Sequence, residues 1–72
     1  MNENIQSNAY AILRLRQVTA RTGLSRSTIY ERIKAGEFPA QVPLGARAVG
    51  WLEADVNAWI ARHVERRATK GG

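Results

Sequence analysis

The chain has 72 residues and a formal net charge of +5, from 11 Lys and Arg against 6 Asp and Glu. That length allows one domain with a small core and leaves few large apolar side chains for a ligand cavity. There is no cysteine and one histidine, His63, so a disulfide framework, a thiolate zinc site and a polyhistidine metal centre are all excluded.

Charged residues interrupt the apolar ones throughout, so no stretch is long enough to span a bilayer. Residues 1–8 are polar and include Glu3, unlike the basic start and apolar run of a signal peptide. These features predict a soluble, cytoplasmic protein that needs no cofactor or metal. Nine of the eleven basic residues are Arg, in two stretches, 14–34 and 47–70. The planar guanidinium suits bidentate phosphate contacts, so the composition favours a polyanionic partner. A soluble basic protein without such a partner fits the charge alone equally well.

In chain order, residues 1–12 lack periodicity and are expected to form a flexible arm. A short helix is predicted over 16–22, with Leu15 and Val18 on its apolar side and Gly23 supplying a left-handed C-cap. Leu24 follows as an apolar plug. Ser25 can cap the next helix, predicted over 26–35 and ended by Gly36, with Ile29 and Ile33 facing inward. Glu37-Phe38-Pro39 reads as an extended turn in which Phe38 covers the core. Short strands are predicted over 41–44 and 48–51, joined by Gly45-Ala46-Arg47. Pro43 belongs on a sheet edge, where its missing N–H costs nothing. Leu52, Val56, Trp59, Ile60 and Val64 then form a stripe of helical period. Glu53 and Asp55 sit at the start of this helix and Arg62, Arg66 and Arg67 near its end, complementing the helix dipole. Leu52 is a poor N-cap for it. Residues 67–72 read as a flexible basic tail.

Residues 17–36 have the grammar of a helix-turn-helix: a short helix, a tight turn at Gly23 and a second helix with a polar start. With Ile29 and Ile33 inward, Ser27, Glu31 and Lys34 face outward and Thr28 and Tyr30 lie on the flanks. Arg26, in the first turn, can also reach out. Small hydroxyls let a helix approach the major groove closely, and the helix N-terminus can hold a phosphate. The hairpin adds a two-stranded wing with Arg47 at its tip. The same pattern fits a plain helical bundle, in which Ser25 is only a cap, Arg26, Arg32 and Lys34 only a solvated face, and Arg47 only a turn residue. Trp51 and Trp59 are expected in the core rather than as stacking platforms for single strands. His63 is expected to be inert, Glu53 and Asp55 are no catalytic pair, and no nucleophile has a matching base. The chain is not expected to be an enzyme.

These residues also carry a resemblance. Leu13-Arg14-Leu15, the run from Arg21 to Tyr30, Gly36-Glu37-Phe38-Pro39, Leu44-Gly45, Arg47-Ala48-Val49-Gly50-Trp51 and Val56-Asn57-Ala58-Trp59-Ile60 resemble the AlpA family of phage regulatory proteins. That family is similar to MerR-type winged helix-turn-helix proteins and to phage excisionases. The resemblance covers residues 13–62. It implies double-stranded DNA as partner, in a bacterial host and at its nucleoid, in transcriptional control or as a directionality factor for excision. It also puts Ser25, Arg26, Ser27, Thr28 and Tyr30 at the start of the recognition helix and Arg47 at the wing. The chain departs from the family pattern at Arg16, often Pro, and at Ala40 and Pro43, where Lys is common, which weakens the expectation for the wing.

The combined expectation is a mainly α fold with a small β-hairpin: a winged helix-turn-helix of three helices and a two-stranded wing. The DNA-binding domain spans residues 13–66. Its expected contacts are Ser25, Arg26, Ser27, Thr28, Tyr30, Glu31, Lys34 and Arg47. No coiled coil or effector domain is expected after Val64, so no small-molecule effector is expected, and self-association is expected only on DNA. Two rival expectations remain: an architectural excision factor with little promoter role, and a protein-interaction module that inhibits a phage or host enzyme through its basic surface.

Overall fold

A computed structural model describes residues 10–71, with side chains described as far as Arg67. In chain order the elements are β1 (Ile12–Leu13), α1 (Leu15–Thr22), α2 (Arg26–Lys34), β2 (Val42–Pro43), β3 (Val49–Leu52) and α3 (Glu53–Gly71). The architecture is a winged helix-turn-helix: three helices with a small antiparallel hairpin, β2–β3.

Both turns of the helical half form as the glycines predict. Gly23 adopts φ 76° and donates its N–H to the carbonyl of Thr19 at 2.8 Å, closing α1. Gly36 adopts φ 77° after α2, with its N–H on the carbonyl of Ile33. Glu37 N–H reaches the Arg32 carbonyl at 2.8 Å, completing a Schellman motif that satisfies the orphan carbonyls of the last turn. At the other end of α1, the Gln17 side chain accepts from the Arg14 N–H at 2.8 Å.

The sheet holds one strand more than the sequence predicts. Its order is β1-β3-β2, with Ile12 opposite Leu52, Leu13 opposite Trp51, Val42 opposite Gly50 and Pro43 opposite Val49. Ile12, which sequence groups with the arm, is therefore a ladder residue. The rest of that arm, residues 1–9, lies outside the described residues. Pro43 is exposed on the edge strand β2, where no partner needs its N–H. Beyond it the Leu44 N–H closes the hairpin on the Ala48 carbonyl at 2.8 Å.

Strand β1 also accounts for Leu52. Strand β3 runs directly into α3, so Leu52 is a strand residue rather than a capping one. The first helical N–H, from Glu53, donates to the carbonyl of Ala11 at 2.8 Å. The continued β1–β3 ladder thus supplies an acceptor for one of the orphan amides of the first turn. Helix α3 then continues to Gly71, past the point at which the sequence predicts fraying. The side chain of Lys70 and the whole of Gly72 lie outside the described residues.

Seven buried residues make the core: Leu13, Val18, Ile29, Phe38, Trp51, Val56 and Trp59, with Leu15, Leu24, Ile33 and Ile60 packed around them. Both tryptophans are in it, as their places in the pattern predict. Val64, the last residue of the predicted stripe, is 55% exposed. It lies two turns beyond Val56, roughly 12 Å along the axis at about 1.5 Å per residue, past the elements that cover the stripe's start.

Two indoles fix the turn after α2. Trp59 Nε1–H donates to the Glu37 carbonyl at 2.9 Å and Trp51 Nε1–H to the Pro39 carbonyl at 3.1 Å. Phe38, between these carbonyls, meets Trp59 edge-on with centroids 5.0 Å apart. Trp59→Ala removes the ring and the hydrogen bond together and should cost about 3–5 kcal/mol in a urea melt.

Gly50 is the closest point in the sheet. A Cβ there would lie 2.5 Å from the Ile12 side chain and 2.9 Å from the Leu13 carbonyl oxygen, whereas one at Gly45 would meet nothing within 4 Å. Gly50→Ala should therefore destabilise by about 1–3 kcal/mol, by overpacking. Gly45→Ala should stay within about 0.5 kcal/mol of the parent in the same melt.

Candidate nucleic-acid interface

The second helix of the helix-turn-helix is α2, and its burial follows its period. Ile29 is fully buried, Ile33 is partly buried, and Arg26, Ser27, Glu31 and Lys34 are exposed. Thr28 and Tyr30 are half-buried on the two flanks.

Ser25 and Thr28 have local work. The Ser25 hydroxyl accepts from the Thr28 N–H at 3.2 Å and donates to the Thr28 hydroxyl at 3.0 Å. Together they form the N-cap of α2, which orients the helix start. Ser27 and Glu31 make no side-chain hydrogen bond among the described residues and project from the outer face. Arg26 lies over the Tyr30 ring, 5.9 Å from its centroid, in cation–π range. The two form one aromatic and cationic unit at the edge of that face.

The sequence gives no sign of the link between α2 and the wing. Gln41 Nε2–H donates to the Tyr30 hydroxyl at 3.1 Å, tying the approach to β2 to the flank of α2. The two residues are eleven apart, across the end of α2 and the turn after it, and no period or motif relates them. Arg47 is exposed in the connection between β2 and β3. The other candidates, Ser25 to Lys34, stand together on one helix and its cap.

The helix-turn-helix is also held from behind. Arg21, at the end of α1, donates Nη2–H to Glu53 at 2.8 Å and Nη1–H to Asn57 at 3.1 Å, both on α3. The pair is partly exposed, and such pairs contribute about 1 kcal/mol or less. Its geometric effect is larger: one guanidinium bridges two turns of α3 and so sets the position of α1 against it.

Residues 11–64 match the family described as "Prophage CP4-57 regulatory protein (AlpA)". The chain belongs to the AlpA family of phage regulatory proteins. An uncharacterised protein of Enterobacteria phage P4, ORF88, is 53% identical over 55 residues, which cover 76% of this chain and 62% of that protein's length. The DNA-binding transcriptional activator AlpA of Escherichia coli is 36% identical over 61 residues, covering 76% of this chain and 87% of its own length. The AlpA match begins at Ala11, whose carbonyl accepts the first amide of α3, and so takes in β1. It contains every candidate from Ser25 to Arg47. It ends at Val64, two residues before Arg66.

Capping and contact can be separated at Ser25. Ser25→Ala should lower stability by about 1 kcal/mol, and Ser25→Asp, which keeps an acceptor, should restore it. Thermal melts of the two variants beside the parent decide this. Equal melts for Ala and parent would remove the cap from the account of α2.

Proposed function

We propose that this AlpA-family chain is a sequence-specific, double-stranded DNA-binding regulator of a phage or other mobile element. The observation that carries the reading is the outer face of α2: hydroxyl, aromatic and charged side chains on a capped helix of a helix-turn-helix, in a chain of net charge +5. The Escherichia coli relative, a DNA-binding transcriptional activator by name, supports the same reading.

In this reading α2 enters the major groove. Ser27 comes nearest the base edges, its small side chain permitting close approach. Arg26 and Lys34 meet phosphates, and the capped N-terminus of α2, with Ser25 and Thr28, faces the backbone. Glu31 accepts from an exocyclic amine such as that of cytosine. Tyr30 receives a hydrogen from Gln41, so its own hydrogen is left to donate to a phosphate or a purine acceptor. Arg47 contacts backbone beside the groove.

Readout and anchoring then separate. Ser27→Ala or Tyr30→Phe should flatten the preference between selected and random duplex. Arg47→Ala should weaken both alike and lower the log–log salt slope by about 1. The measurement is fluorescence anisotropy on labelled duplexes over a range of salt. A parent that binds no duplex even at low salt would sink the reading and favour a protein-interaction module.

One nine-residue recognition helix reads only a few base pairs, each mismatch costing about 1–3 kcal/mol. That is too little to single out one locus, so the reading includes several copies on neighbouring sites. Copies following the groove in one orientation form a head-to-tail array that does not close on itself. Such an array can bend the duplex, which serves excision as well as promoter control. Titration of single-site and tandem-site duplexes should show tighter, cooperative binding on the tandem one. Independent binding at each site would remove the array.

A further inference from the structure

The sequence offers Arg32 as part of a solvated face and Arg62 and Arg66 as helix-end charges. The fold brings all three to one open cleft of about 560 Å³, between the end of α2 and the middle of α3. Trp59 and His63 line it too, and among the described residues Glu37 is the one carboxylate on its wall. Arg62 and Arg66 are one turn apart and share a face of α3. Among the described residues none of the three arginines is in an ion pair; Glu53 is taken by Arg21.

His63 is held in place. Its ring stacks on Trp59 with centroids 3.9 Å apart, and its Nδ1–H donates to the Trp59 carbonyl at 2.9 Å. Nε2 is its remaining nitrogen. Three guanidiniums thus line the same cleft as one carboxylate, an excess of positive charge that favours an anion, and their planar forks suit phosphate oxygens.

The position of the cleft selects the anion. Successive helix residues turn by about 100°, so Tyr30 and Arg32 leave α2 on opposite flanks of the face centred on Glu31. The Tyr30 flank meets the wing through Gln41. The Arg32 flank opens into the cleft. A major groove about 12 Å wide, holding a helix about 10–12 Å across, runs one phosphate strand along each flank.

We propose that the Arg32–Arg62–Arg66 cleft is a second phosphate-binding site, which grips the backbone strand on the side of α2 opposite the wing. The wing then serves one strand and the cleft the other, so the duplex is held across the groove from both sides. This rests on the reading of α2 as the helix in the groove, and the test separates the two.

A selected-site duplex and a random-sequence duplex are each titrated with parent, R62Q/R66Q and R62K/R66K at several salt concentrations, with thermal melts alongside. Removing two phosphate contacts should lower the log–log salt slope by about 2. It should weaken binding to selected and random sites alike, and the lysine pair should keep most of the slope. If the parent binds but the glutamine pair keeps the parental slope, the cleft proposal is overturned while α2 and the wing stand, and the cleft falls to an acidic protein partner. If the parent binds no duplex, the α2 reading itself is lost. A shifted melt in the glutamine pair alone leaves the lysine pair to decide: a slope reduced as far as charge removal would reduce it also overturns the proposal.

Discussion

The rest of the molecule depends on how the chain is held between the end of α2 and the start of β2. Two indole N–H groups, from β3 and α3, take the carbonyls on either side of Phe38. Both bonds are part-buried, and each contributes about 0.5–1.5 kcal/mol, which matters in a domain this small. The clamp begins at Glu37, one residue after the left-handed glycine that ends α2. It therefore fixes not only a turn but the angle at which α2 leaves the core. The wing starts from its other side. One pair of tryptophans thus sets both parts of the candidate interface, and both rings are buried with their N–H groups already bonded to the chain, which fits a structural role rather than a stacking platform.

A second constraint works on the opposite side of β3. Strand β1 is two residues long and could not exist alone. It persists because Leu13 is buried, because Gly50 leaves room for Ile12, and because the Ala11 carbonyl takes the first amide of α3. In a domain with so small a core, one short strand joins the start of the chain, the sheet and the last helix. The Arg21 bridge to Glu53 and Asn57 ties α1 to that same first turn of α3. The beginning of α3 is thus the point where both halves of the fold are referred to one another.

Much of this was legible in the sequence where one residue decides one local feature. Gly23, Gly36 and Ser25 marked helix ends because a left-handed residue or a capping hydroxyl has few other uses at such positions. Ile29, Val56 and Trp59 marked buried faces through their period, and Pro43 marked an edge. The features that escaped are those in which two distant segments decide jointly. Ile12–Leu13 is too short to show alternation, and the weak cap at Leu52 makes sense only when Ala11 is seen beside it. Val64 follows the period but lacks a covering element among the described residues, since periodicity tells which side of a helix is apolar and not how far the body beneath it extends. Among the candidate contacts, the sequence brought forward the residues of one helix and the wing tip. Gln41, Arg32, Arg62 and Arg66 come from different elements, and only the folded arrangement relates them.

The bond between Gln41 and Tyr30 gives the candidate interface a property that its separate residues lack. A wing on a two-residue edge strand is weakly held, and a short hairpin leans on whatever it touches. Here it leans on the flank of α2, through a hydroxyl that accepts in this bond and keeps its own hydrogen free to donate. Arg26 over the same ring adds a cation to that point. A partner that engages Tyr30 therefore meets a side chain already ordered by the wing, and the rotamer entropy that such a contact ordinarily costs is partly spent in folding. Gln41 restrains Tyr30 whatever happens at the wing tip, so the energies of Gln41 and Tyr30 should not add as those of independent sites do, while Arg47, bonded to neither among the described residues, should anchor separately.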